Sequence, residues 1–200
     1  VTGVQTCALP IYDSCSTPVV IADPETGSFS YDVTQDTGCA SNSPTCEVAD
    51  SCGASVNSAS VWYTFTPKHD GYINVNTFGS NYDTVLSLHN GCSGIFFGTC
   101  FQPTHLICND DDGSSRQSAI YSYPVFTGVN YRIKISRYGV GLGGNLQLHL
   151  DYTPTVPAND NCNAAFAIAT PAYSFSQDIF YASKASCENY SSCVATEPTN

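Results

Sequence analysis

The sequence predicts an all-β protein: an antiparallel two-sheet β-sandwich, jelly-roll-like and stapled by disulfides. Three observations predict it. Apolar and polar residues alternate over short runs, and helical periodicity is nearly absent. Gly, Asn and Asp cluster between those runs, where turns require them. Cysteine is dense, 11 in 200 residues, with no C-x2-C pair of the kind that zinc sites use.

The strands follow in order. A first lies near 28–34. Val61, Tyr63 and Phe65 then face opposite Trp62, Thr64 and Thr66. Ile73 and Val75 alternate with Tyr72, Asn74 and Asn76. Runs near 84–89, 105–109 and 117–126 supply three more. Tyr131, Ile133 and Ile135 share one face, with Arg132, Lys134 and Ser136 on the other. Leu146, Leu148 and Leu150 point inward, and Asn145, Gln147, His149 and Asp151 point outward. Two such sheets bury their apolar faces against each other. Each buried apolar side chain contributes about 1.5–3 kcal/mol.

Composition narrows the function. Asp and Glu number 17 against 6 Lys and Arg, a net charge of −11. Nucleic-acid binding needs clustered cations to displace counterions, so that class is excluded. Docking on an anionic membrane is disfavoured for the same reason. No run of 18 apolar residues offers a membrane-spanning helix. Cysteine at this density indicates disulfides formed in an oxidising compartment, extracellular or at the cell surface. Cys92 and Cys108 flank an expected hairpin and form the expected pair. The remaining connectivity is open.

The chain also has internal organisation. Residues 1–11, VTGVQTCALPI, match the translation of a common sequencing adapter letter for letter and read as a non-native scar. Asp13-Ser14-Cys15 recurs as Asp160-Asn161-Cys162, an offset of 147 shared by Ile21-Ala22, Pro24 and Cys46. Residues 12–153 therefore form a complete module, 154–158 a Pro-rich linker, and 159–200 the truncated start of a second copy. The fragment is expected to be cut at both ends.

Candidate chemistry is sparse. Asn109, Asp110, Asp111 and Asp112, with Asp83 added from the strand region, form a candidate calcium set. Hard cations want six to eight oxygens, and a bound cation would relieve repulsion among adjacent carboxylates. A solvated turn explains the 109–112 run as well, and a loop-anchoring hydrogen bond before Thr84 explains Asp83. Trp62 and Tyr72, on outward positions, form a candidate glycan platform, although aromatics also fill sandwich cores. Gly139 to Gly144 fits G-x-G-x-x-G, but a strand follows where a dinucleotide site needs a helix, so it reads as a hairpin loop. His69, His89, His105 and His149 are scattered without a zinc-protease pattern, and no G-x-S-x-G elbow exists. Asp83 with His89, and His149 with Asp151, read as polar pairs on exposed faces. Asn189-Tyr190-Ser191 fits a glycosylation acceptor.

An ordered set of segments carries a resemblance. Ser60-Val61-Trp62-Tyr63-Thr64-Phe65-Thr66-Pro67 is followed by Asp70-Gly71-Tyr72-Ile73-Asn74-Val75 and by Tyr82-Asp83-Thr84-Val85-Leu86-Ser87-Leu88. Cys108-Asn109-Asp110-Asp111, Gly128-Val129-Asn130-Tyr131-Arg132-Ile133 and Gly143-Gly144-Asn145-Leu146-Gln147-Leu148 complete it. This set resembles the bacterial pre-peptidase C-terminal domain and its cysteine-rich tandem relatives, over roughly 60–152. The resemblance implies a β-sandwich, extracellular placement and a non-catalytic accessory role, with calcium or a polymeric matrix as ligand in some relatives. The region from 36 to 60 and the insert around Phe96 depart from that pattern. The expected function is a non-catalytic adhesive or accessory repeat in a larger secreted or surface protein, not an enzyme. Its partner would be matrix, polysaccharide or another surface protein. The alternative is a calcium- or polysaccharide-binding module attached to a secreted hydrolase.

Overall fold

The structure, a computed structural model, describes residues 12–24, 27–40, 52–92, 94–96, 99–101 and 103–155. The segment 1–11, the Cys-rich stretch 41–51, the second copy from 159 and the Asn189 acceptor lie outside the described residues. Two compact units divide the chain, Val1–Thr153 and Pro154–Asn200.

Thirteen strands are described: β1 (Val19–Ile21), β2 (Phe29–Asp36), β3 (Ala54–Ser58), β4 (Ser60–Phe65), β5 (Gly71–Asn76), β6 (Thr84–Asn90), β7 (Gly94–Phe96), β8 (Thr99–Phe101), β9 (Thr104–Asn109), β10 (Ala119–Val125), β11 (Tyr131–Arg137), β12 (Gly139–Gly141) and β13 (Asn145–Pro154). A five-stranded sheet has the order β1-β4-β11-β6-β9, and a four-stranded sheet the order β10-β5-β13-β2. Two small ladders, β12-β3 and β7-β8, complete the set. The protein is an all-β, jelly-roll-like sandwich. The path alternates between the layers: β4, β6, β9 and β11 lie in the first sheet and β5, β10 and β13 in the second.

Pairing is antiparallel through most of both sheets, as Ile133 opposite Tyr63 and Leu88 illustrates. β1 departs from this, running parallel to β4 with Val19 opposite Tyr63. No hairpin joins these two strands, so no turn imposes an antiparallel direction. The strand expected near 28–34 runs on to Asp36, because Gln35 and Asp36 continue the ladder to Leu146 and Asn145. The three-residue strands went unforeseen: they are too short to show alternation.

The alternating apolar residues form one core. Val61, Tyr63, Phe65, Ile133, Ile135, Leu86 and Leu88 from the first sheet meet Ile73, Val75, Leu146, Leu148, Leu150 and Tyr152 from the second. Phe65 and Tyr152 pack edge to face at 5.2 Å, with Phe29 against both. Tyr63 spans the layers by donating its hydroxyl to Gln35 Oε1 at 2.6 Å.

The sheets differ on their outer faces. In the second sheet, β13 alternates buried and more accessible residues, as expected for a sheet with one solvated face. In the first, all six residues of β4 are buried, and β6 is buried from Thr84 to His89. Trp62 does point away from the core, but that face is not open to water, and the residue is 1% exposed. Tyr72 is 46% exposed, on the opposite sheet. The expected Trp62–Tyr72 platform is therefore corrected: one member is buried, and the two stand on different layers.

The expected Cys92–Cys108 pair is also corrected. Cys92 joins Cys15 and Cys108 joins Cys52, with Cα separations of 5.5 and 6.0 Å. The bridges tie the β6–β9 region to the segments before β1 (Cys15) and before β3 (Cys52), across 77 and 56 positions. Sequence proximity favoured the hairpin, but both cysteines were committed to distant segments.

Candidate functional site

β6 and β9 are antiparallel neighbours, with Leu86 opposite Asn109. The start of β6 and the end of β9 thus share one end of the first sheet. Asp83 precedes β6, and Asp110 and Asp111 follow β9. One oxygen from each of these three carboxylates can be chosen so that all lie within 4.8 Å of one another.

A knot of buried hydroxyls anchors this end. Thr77 Oγ1 and Thr84 Oγ1 are 2.6 Å apart, and the Ser118 amide donates to Thr77 Oγ1 at 2.9 Å. The Ser118 hydroxyl lies within hydrogen-bond reach of the carbonyls of Thr84, at 2.6 Å, and of Asp110. One side chain thus ties both acidic segments to the same point. The loop closes through Thr84 N–H to Arg116 O at 3.0 Å and Asp112 N–H to Gln117 O at 2.9 Å.

Electrostatics at the cluster oppose ionisation. Asp83 Oδ1 and Asp110 Oδ1 are shielded from solvent without a hydrogen-bond partner. Burial, then the charges of Asp111 and Asp83, push the Asp110 carboxyl up to about 6. Asp83 is raised by burial and by Asp111, against the opposing pull of Arg116 and Arg137. A divalent cation would relieve that repulsion, with Asp83, Asp110 and Asp111 holding it and water supplying the remaining oxygens.

Of the five expected ligands, three come together and two are occupied elsewhere. Asn109 Oδ1 accepts the Ala119 N–H at 3.0 Å, holding β9 to the start of β10. Asp112 Oδ2 accepts the Tyr121 hydroxyl at 3.0 Å. Thr77, Thr84, Ser118, Arg116 and Arg137 were missed, since isolated hydroxyls and lone arginines carry no spacing signal.

The histidines divide. His149 pairs with Asp151 at 2.9 Å on the outer face of the second sheet, and also with Asp32, directly opposite on β2, at 2.6 Å. These two bonds, Asp32 first, raise its pKa. His89, expected on an exposed face, is instead 2% exposed, its ring 5.5 Å from Trp62 and its Nε2 2.9 Å from Ser87 Oγ. The glycine-rich segment, expected as a hairpin loop, begins as β12 paired with β3, and only residues 142–144 form a loop before β13, held by Arg137 Nη1 to Leu142 O at 2.9 Å. No helix among the described residues is long and apolar enough to cross a membrane.

Fold and cystines together define a disulfide-stapled, two-sheet β-sandwich belonging to a non-cytoplasmic, oxidising compartment. No family model matches the chain, and no curated protein matches it. Among solved structures it is similar to PliG of Aeromonas hydrophila, a periplasmic lysozyme inhibitor of g-type lysozyme. That match has 13% identity and a TM-score of 0.38, covering 68% of this chain and 94% of that one. It is also similar to the Yersinia pseudotuberculosis-derived mitogen, at 14% identity and a TM-score of 0.30, covering 64% of this chain and 86% of that one. At these scores neither likeness bears on function.

Proposed function

We propose that the chain is a non-catalytic, extracellular accessory or adhesive module of a larger secreted or surface protein, related to the pre-peptidase C-terminal domain. The observation that carries this reading is the recurrence of the Asp13–Cys46 pattern 147 positions on, beyond a Pro-rich stretch. Tandem recurrence of a module is how extended repeat chains are built. The full chain should be retained on extracellular matrix, insoluble polysaccharide or a surface-protein fraction without turning over peptide or glycan substrates. Turnover of any of them overturns the reading.

A second reading concerns the acidic cluster: Asp83, Asp110 and Asp111 hold a calcium ion that braces the β6 and β9 ends. Two shielded carboxylate oxygens without partners favour it. Calcium titrated into a thermal melt should raise Tm for the wild type and not for Asp110→Asn. An unchanged wild-type Tm discards it.

A further inference from the structure

The solvated face of the second sheet carries a feature outside the acidic cluster. Phe78 stands on the turn that leaves β5, 41% exposed. That turn is rigidly held. Asn76 Oδ1 accepts the Phe78 N–H at 3.1 Å, and Thr77 O accepts the Ser80 N–H at 3.2 Å. Ser80 Oγ accepts the Gln147 N–H at 2.9 Å, fixing the turn to β13. Gly79 sits at φ +90°, a left-handed conformation that favours glycine, and the Gln147 side-chain amide lies over it. The aromatic ring is therefore displayed from a held backbone beside the Gln147 amide.

Next to the ring lies a groove of about 160 Å³, walled by Asp32 and Thr34 of β2 and by Gln147 and His149 of β13. Its polar groups are largely uncommitted. The Thr34 hydroxyl and the Gln147 side-chain amide make no hydrogen bond among the described residues, and Asp32 uses only Oδ1, on His149.

We propose that this groove is a subsite for one ring of a neutral polysaccharide. Phe78 stacks on the apolar face of the ring, and Asp32, Thr34 and Gln147 bond its hydroxyls. An apolar face beside convergent donors and acceptors is what a pyranose requires. The groove is smaller than the ~300–1,000 Å³ of enclosed small-molecule pockets, which suits one unit of a polymer. A metal ion does not fit: Asp32 and Asp151 take opposite nitrogens of His149 and do not converge. An anionic polymer would meet both carboxylates and a chain of net charge −11. The inference rests on the accessory-module reading and names the polymer class such a module would grip.

The test is calorimetric titration of the full chain with cello-, xylo-, manno- and chito-oligosaccharides, and with heparin as the anionic arm. At least one neutral series should bind, and Phe78→Ala should weaken it about tenfold or more. Gln147→Ala should weaken it too, whereas Tyr138→Ala, an exposed residue whose N–H donates to Asp83 O at 3.0 Å, should not. Thr34→Ala, at an exposed position, replaces Phe78→Ala should that variant fail to fold. No binding, binding indifferent to these changes, or preference for heparin overturns the subsite and leaves the module reading standing. Cleavage of an oligosaccharide overturns the module reading instead.

Discussion

Lys134 Nζ stands 5.5 Å from the centroid of the Trp62 ring, and both side chains are at most 3% exposed. They are neighbours across β4 and β11, directly opposite in register. The indole face offsets part of the cost of burying an ammonium group.

Trp62 is accordingly a packing residue. Trp62→Ala should destabilise the fold by about 3–5 kcal/mol, as removal of a buried aromatic does. Chemical denaturation checks this; a cost near zero would return the residue to the surface.

The bridges Cys15–Cys92 and Cys52–Cys108 close loops of 77 and 56 positions. Chain-entropy arguments assign each about 4 kcal/mol. Replacing either pair by serine should lower Tm substantially, and a Cys92→Ser, Cys108→Ser double variant should break both bridges. Peptide mapping without reduction checks the pairing: a fragment joining Cys92 to Cys108 would contradict it.

Asp110 titrates high in the fold. Unfolded, the group loses its proton near 3.8; folded, it keeps it until about 6. Between those values the native state binds more protons, so stability falls as pH rises through that window. In chelator, Asp110→Asn removes this slope, and its Tm should gain on the wild type from pH 4 to pH 6. Melting curves that shift in parallel would show the carboxyl titrating normally.

His149 shifts stability in the same direction but in a higher pH window, and here the charged form is the favoured one. Its pKa is raised above 6.5 by Asp32 and Asp151, so its contribution is complete below pH 6.5 and lost as pH climbs through the raised value. Asp151, lowered chiefly by Ser30, sets the acid limit: its contribution is present above 3.8 and lost as pH falls through the depressed value. The wild type should therefore exceed His149→Gln most between these bounds, by at most about 1 kcal/mol given the exposure of the pair. Added salt should shrink the gap. A difference that grows toward pH 8 would refute this arrangement.

The longer strands and the inward set Val61, Tyr63, Phe65, Ile133, Ile135, Leu146, Leu148 and Leu150 were legible because period-two alternation is a local property of the backbone. The carboxylates after β9 were legible too, since adjacent Asp residues announce themselves. Their convergence with Asp83 was only suggested: it requires β6 beside β9, and nothing local selects that neighbour. Asn109 and Asp112 could not be distinguished from true cluster members, because their partners Ala119 and Tyr121 belong to the next strand.

From the sequence alone came the β class, the faces of its strands and the oxidising compartment. Alternation fixes the side from which a side chain leaves its strand, and cysteine density reflects redox setting. Tertiary structure decided whether that side meets water, which cysteines meet, and where Phe78 finds Gln147. Each of these depends on segments tens of residues apart, brought together only by long-range strand pairing and the packing of the two sheets.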